Sequence, residues 1–405
     1  MAEKSTSGNK FIHTSLAIIV TVALLFVLKV SRDVAVPLLF SFFCFLLFSP
    51  LLRRMDKLHI PSFISVTFVM VLLLLIFILA GWFIVMTVDS LIRLIPFYAD
   101  KVVSLDRLLS AKLSTFADLP DGASFLALLP VNWSSLAISS LTSISNKFFA
   151  FTNVAMVVYI FFLFLLLERK SIIPKVLAAT PRRGMRVAVM FERITRQVSK
   201  YLLLKAVISA FTGIFFFLTA ILTGLDLPIL WGVLAFIFNF IPSIGSIIAT
   251  ALTILMALIQ FAPVWSSVVW VAVLTTSTQM ILGNIIDPRL QGGQLNLSPF
   301  VILVSLSVWG FLWGLPGMFI AVPLTSVLQI ICANVKSLKP VAILISSGRS
   351  YQRESSRQQV IERYLRKQER RRRSGQEVEE TPVEAEDETI YKGDFILPES
   401  FGEKR

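Results

Sequence analysis

From Ser62 to about Met86 the chain is almost wholly apolar, with VLLLLIFILA at its centre. A run of that length leaves few folds open. The hydrocarbon core of a bilayer is about 30 Å thick and takes about 20 apolar residues as a helix. No water is available there, so every backbone N–H and C=O must find a partner within the protein. A continuous apolar run meets that demand as a helix that pairs its own backbone.

The same reasoning marks further spans at Phe11–Val30, Val34–Leu52, Phe148–Leu167 and Leu202–Gly224, the first two separated only by the short polar turn SRD. Composition agrees, because 56% of the 405 residues are hydrophobic, mean hydropathy is +0.78 and only 16% are charged. A soluble chain carries about a quarter charged residues. The expected fold is an all-α polytopic membrane protein of about eight transmembrane helices. The Phe-rich first half is expected to face lipid.

A net charge of +13 raises nucleic acid as a partner, but the basic residues are grouped beside the spans. That distribution is the positive-inside signature of a membrane protein, with anionic lipid as the natural contact. RRMDKLH (Arg53–His59) is one such group, and Glu168–Lys205 is stronger, with ten Lys/Arg against two Glu. Both are expected on the cytoplasmic side. Parity of crossings then places residues 1–10 and the charged tail, 336–405, there too. The tail has a basic block, Arg349–Arg373, followed by an acidic one, Glu377–Glu388. Between Asp89 and Lys147, charges of both signs alternate with apolar residues at helical spacing. Short amphipathic helices outside the membrane are expected there.

Little in the chain suggests catalysis. HExxH, GxSxG and GxxxxGK[ST] do not occur. Cys44 and Cys332 lie inside apolar runs, and His13 and His59 are isolated, so no metal site and no cofactor are expected.

The second half reads differently. Pro228–Phe261 is interrupted at NFIPSIG (Asn239–Gly245), and Pro299–Val335 at GLPG (Gly314–Gly317), with Pro323 beyond. Between them lies the polar stretch GNIIDPRLQGGQLNLSPF (Gly283–Phe300). Paired broken helices point to a binding site near the midplane, where freed backbone groups can hold a polar solute or an ion. The candidate ligands are Asn239, Pro242, Ser243, Gly245, Gln279, Asn284, Asp287 and Arg289. The structural breaks are Pro288, Gly314, Pro316, Gly317 and Pro323. A carboxylate at membrane depth is costly, so Asp287 needs a reason. Three remain open: it binds, it titrates, or it caps a helix in a turn outside the membrane.

Four stretches carry a family resemblance: DVAVPLLFSFFCFLLFSPLLRRM (Asp33–Met55), WGVLAFIFNFIPSIGSIIAT (Trp231–Thr250), NIIDPRLQGGQLNLSPFVILVSL (Asn284–Leu306) and WGLPGMFIAVPLTSVL (Trp313–Leu328). In combination they resemble the autoinducer-2 exporter family of bacterial membrane proteins. The resemblance implies a multi-pass transporter of the inner membrane with both termini cytoplasmic, a homo-oligomer, and export of a small polar signalling solute. Some members of that family are linked to sodium/proton antiport. Two transport readings follow: export of a small polar solute driven by an ion gradient, or exchange of Na⁺ for H⁺ with Asp287 or Asp226 titrating. A third reading is a membrane scaffold whose tail recruits partners.

Overall fold

The computed structural model describes residues 15–16, 19–113, 133–179, 184–291 and 295–348. The N-terminal arm, the centre of the Asp89–Lys147 segment and the tail beyond Gly348 lie outside the described residues. Regular structure among the described residues is helical, with one isolated bridge between Leu297 and Ser346. The first half comprises α1 (Ile19–Val30), α2 (Arg32–Lys57), α3 (Ser62–Leu113), α4 (Trp133–Glu168), α5 (Ile172–Ala179) and α6 (Gly184–Thr223). The second comprises α7 (Pro228–Phe238), α8 (Ile244–Phe261), α9 (Trp265–Thr278), a π-helical segment (Gln279–Ile286), α10 (Asp287–Gln291), α11 (Pro299–Trp313), α12 (Leu315–Asn334) and α13 (Lys339–Ile345). Seven helical segments are long and apolar enough to cross a membrane, and α1, α7 and α11 are shorter apolar helices. The chain is an all-α polytopic membrane protein.

Two local expectations change. SRD does not reverse the chain. Ser31 donates to the carbonyl of Val27, and Ala35 donates to that of Ser31, so the helical ladder runs on either side of a one-residue joint. α1 and α2 therefore meet at a bend. The carbonyl of Leu28, freed by that bend, accepts from the Trp313 indole at 2.8 Å. The second change concerns Asp89–Lys147. Its start continues α3 without a break to Leu113, and its end belongs to α4 from Trp133.

The main core joins α2, α3, α4, α6, α11 and α12. Phe43, Phe45 and Phe48 of α2 are buried in it, and the Phe48 ring packs on Phe162 of α4 at 5.9 Å. Part of the Phe-rich first half is thus core, not lipid contact, while Phe26, Phe63 and Phe68 are exposed. One end of the bundle is basic: there Arg169 holds Asp56 through two hydrogen bonds, and Arg53 lies 3.9 Å from Glu192.

α6 serves as a ruler through the bundle. It starts at the basic end and runs to Thr223, after which Gly224 turns the chain into α7. Gln260, at the far end of α8, receives the Asp226 N–H and donates to the Gly224 carbonyl. Both ends of the α7–α8 hairpin therefore lie at the end opposite the basic one. The α11–α12 hairpin opens the other way. Its first residues meet the segment after α13, with the Ser298 N–H on Ile345 and the Ser347 N–H on Asn296. Each hairpin has one arm too short to cross: α7 at about 16 Å and α11 at about 22 Å. Each also turns on a glycine pressed against backbone. A Cβ on Gly245 would lie 1.8 Å from the Phe238 carbonyl oxygen, and one on Gly317 would lie 2.0 Å from that of Trp309. At the tips, Phe240 of the first hairpin stacks on Phe319 of the second, with ring centroids 4.6 Å apart.

Candidate transport cavity between a hairpin tip and a π-helical turn

Where the α7–α8 hairpin ends inside the bundle, the backbone departs from helical geometry. Asn239 follows α7, and Pro242 prevents the helix from running on. Ser243 takes φ +60°, a strained value for a residue with a side chain. Asn239 is 2% exposed and donates to the Ser209 hydroxyl of α6 at 3.0 Å, which ties the tip to that helix.

Facing this tip is the π-helical segment. Pro288 has no N–H to give, so the ladder that precedes it is free to change register. The Asp287 N–H bonds the Leu282 carbonyl, five residues back. Such wide turns are frequent at functional sites. Here the turn carries Gln279, Gly283 and Asn284 past the hairpin tip.

Between the two lies a cavity of about 760 Å³. Asn239, Pro242, Ser243, Gln279, Asn284, Asp287 and Pro288 all line it, so most of the sequence candidates come together. Gly245 does not line it and serves the packing of the hairpin instead. Arg289 is exposed and points to no cavity-lining role. Gly314, Pro316, Gly317 and Pro323 belong to the second hairpin, whose Val322 and Ile302 complete the wall. The cavity runs from Thr276, about 16 Å along α9, to Gln291 near the basic end. Ile247 and Met280 on its lip are 68% and 61% exposed, so it is open between α8 and the π-helical segment.

The charged part of the wall was only half visible in the sequence. Lys205 counts there as one more basic residue beside a span. In the fold it is 3% exposed, and its Nζ lies 2.8 Å from Oδ2 of Asp287. Lys205 stands eighteen residues before the end of α6, about 27 Å along the helix axis. Gln291 donates to the other oxygen of Asp287. Asp287 is therefore the partner of a buried cation. Tyr201, one turn before Lys205, also faces the cavity. The signal that could have singled out Lys205 is its position, four residues after Tyr201 and inside YLLLKAVISAF.

The uncharged part of the wall is unfinished. Gln279 is 8% exposed, yet neither its Oε1 nor its Nε2 has a partner, and the Thr250 hydroxyl is likewise unpaired. A buried polar group without a partner costs about 1–3 kcal/mol. These atoms flank the cavity, and a solute seated there would supply what they lack.

Asp226, the other carboxylate of this half, is remote from the cavity. It sits at the opposite end of α6, where its Oδ2 accepts from the Tyr98 phenol at 2.5 Å. Its carbonyl takes the Trp231 indole N–H. Among the described residues no cluster of His, Cys, Asp or Glu could hold a metal ion.

The comparison with known proteins agrees with this architecture. The chain is 31% identical over 332 residues to a protein of Borreliella burgdorferi named "Putative transport protein", covering 81% of this chain and 90% of that one. A protein of the same name from Haemophilus influenzae is 29% identical over 344 residues, covering 84% and 97%. The "AI-2 transport protein TqsA" of Escherichia coli K12 is 28% identical over 327 residues, covering 79% and 91%. These likenesses support a role in membrane transport. The family model described as AI-2E family transporter matches residues 18–337, from α1 to the end of α12 and beyond, and the chain belongs to that family.

Proposed function

We propose that the chain exports a small, polar, uncharged solute through the cavity between the α7–α8 tip and the π-helical segment. The observation that carries this reading is the unpaired amide of Gln279, buried against an open cavity of about 760 Å³. Among the lining residues the formal charges, Lys205 and Asp287, already neutralise each other. What remains to recognise a ligand is a set of amides and hydroxyls, suited to hydroxyl and carbonyl groups. The reading takes the basic end as the one that faces the cytoplasm of a bacterial inner membrane, which the positive-inside bias supports. The cavity then reaches the cytoplasmic side, where an exported solute is collected. The two hairpins enter from opposite ends and meet through Phe240 and Phe319, so a shift of one is passed to the other. An ion gradient as driving force and assembly as a homo-oligomer belong to the same proposal. The relative named for AI-2 transport makes a signalling solute of that kind the first cargo to try.

The test compares solutes released by cells with and without the protein, followed by flux of the identified solute into vesicles. Gln279→Leu removes both halves of the amide, and flux is expected to fall about tenfold or more, the equivalent of one lost hydrogen-bond pair. Thermal stability should stay the same or rise, because two unpaired polar atoms leave the interior. An identical solute profile in the two strains, or full flux in Gln279→Leu, would sink the reading.

Asp287 favours a second reading, exchange of Na⁺ for H⁺, since a carboxylate in a cavity wall can bind either ion. It requires Na⁺ flux that depends on pH and disappears in Asp287→Asn. Flux that survives the change would exclude it.

A further inference from the structure

A second recess lies far from the transport cavity, on the outer face of the bundle between α3 and α4. Its volume is about 510 Å³. From α3 it is lined by Val66, Met70 and Val71, and from α4 by Tyr159, Leu163 and Leu166. Val66 and Met70 are four residues apart, and Tyr159, Leu163 and Leu166 recur at four and three, so each helix turns an apolar stripe towards the recess. At the basic end the recess closes on different chemistry: Ser62, Arg169 and Lys170.

The charges at this mouth are not balanced. Arg169 is 9% exposed and is fixed to Asp56 by bonds of 2.8 and 3.1 Å, so that pair is neutral as a whole. Lys170 donates to the Ser62 hydroxyl and has no carboxylate partner among the described residues. Its positive charge stands at the open top of an apolar groove. From Ser62 to Val71 the groove descends nine residues of α3, about 14 Å. That depth is close to half of a hydrocarbon core about 30 Å thick. The groove is therefore one leaflet deep, apolar along its walls and cationic at the level of the headgroups.

We infer that this groove is a binding site for an anionic phospholipid of the leaflet at the basic end, with one acyl chain between α3 and α4 and the phosphate on Lys170 and Ser62. Basic pockets between membrane helices hold anionic headgroups by this combination. A soluble phosphate would use the mouth but leave the apolar walls unfilled. A neutral lipid would fill the walls and leave Lys170 without a counter-charge. The site is independent of the transported solute and of the cavity that holds Gln279.

The purified full-length protein in detergent would be mixed with dioleoyl phosphatidylglycerol, with dioleoyl phosphatidylcholine, or with inorganic phosphate. Bound lipid would be counted by native mass spectrometry and thermal stability followed in parallel. Phosphatidylglycerol is expected to bind about fivefold more tightly than phosphatidylcholine, the effect of one lysine near the headgroup. Lys170→Gln, a change at an exposed position, should erase that preference while leaving the fold intact. Thr67→Trp, on the lip of the groove, should block the chain and lower the binding of both lipids. Equal binding of the two lipids to the unaltered protein would overturn the inference. So would a preference that survives Lys170→Gln, undiminished binding of both lipids to Thr67→Trp, or an equal stabilisation by inorganic phosphate alone.

Discussion

Replacing Lys205 with methionine keeps most of the side-chain length and removes the charge. Asp287 then keeps its hydrogen bond from Gln291 but loses the cation 2.8 Å away. At an effective dielectric constant of about 20, unit charges at that distance attract by about 6 kcal/mol before desolvation is subtracted. Removing one partner of a buried pair costs about 3–5 kcal/mol, because the other is left unpaired. Asp287 is 15% exposed and borders an open cavity, so solvent and protonation relieve part of the strain. The lower limit, about 3 kcal/mol, is the expected loss for Lys205→Met. Adding Asp287→Asn removes the orphaned charge and should restore about 2 kcal/mol, a coupling typical of directly paired residues. Unfolding of the protein in mixed micelles, followed by circular dichroism for the wild type, both single variants and the double variant, gives all four corners. If Lys205→Met unfolds within about 0.5 kcal/mol of the wild type, or the double variant is no more stable than Lys205→Met, the pair is not holding α6 to α10.

Gly245→Ala and Gly317→Ala would each drive a methyl group into a backbone carbonyl that cannot move aside. Each should cost at least about 2 kcal/mol and reduce the yield of monodisperse protein, measured by fluorescence-detected size exclusion. At the far end of the bundle, the Tyr98 phenol is pushed above its ordinary value of 10.0 by burial, by its hydrogen bond to Asp226 and by that carboxylate's charge. A raised folded-state value means that its contribution to stability is complete below pH 10 and is lost as the pH climbs further. The ultraviolet difference titration between wild type and Tyr98→Phe should show one phenol ionising later than a free tyrosine. A difference centred at the ordinary value would refute the contact.

The two broken hairpins were legible because the cause of each break is local. Pro242 and Gly245 interrupt one apolar run, and Gly314, Pro316 and Gly317 interrupt the other. The candidates Asn239, Ser243, Gln279, Asn284 and Asp287 were found for the same reason. Each is a polar residue in a setting where polarity is expensive, and that cost can be judged from a short window of sequence. SRD misled because three polar residues look the same whether the chain bends or reverses. The difference lies in whether Ala35 still reaches the carbonyl of Ser31.

Sequence alone therefore determined the solvent of this protein, its helical class and the places where its helices fail, since all three follow from the cost of exposing backbone to hydrocarbon. Tertiary structure decided what stands opposite each failure. Lys205 and Asp287 are 82 residues apart, and no local pattern says that α6 will bring its lysine to the start of α10. The depth of each hairpin, the open side of the cavity and the unpaired amide of Gln279 depend in the same way on contacts between distant segments. Such contacts are set by how the whole bundle packs, and a residue's neighbours in sequence carry no record of them.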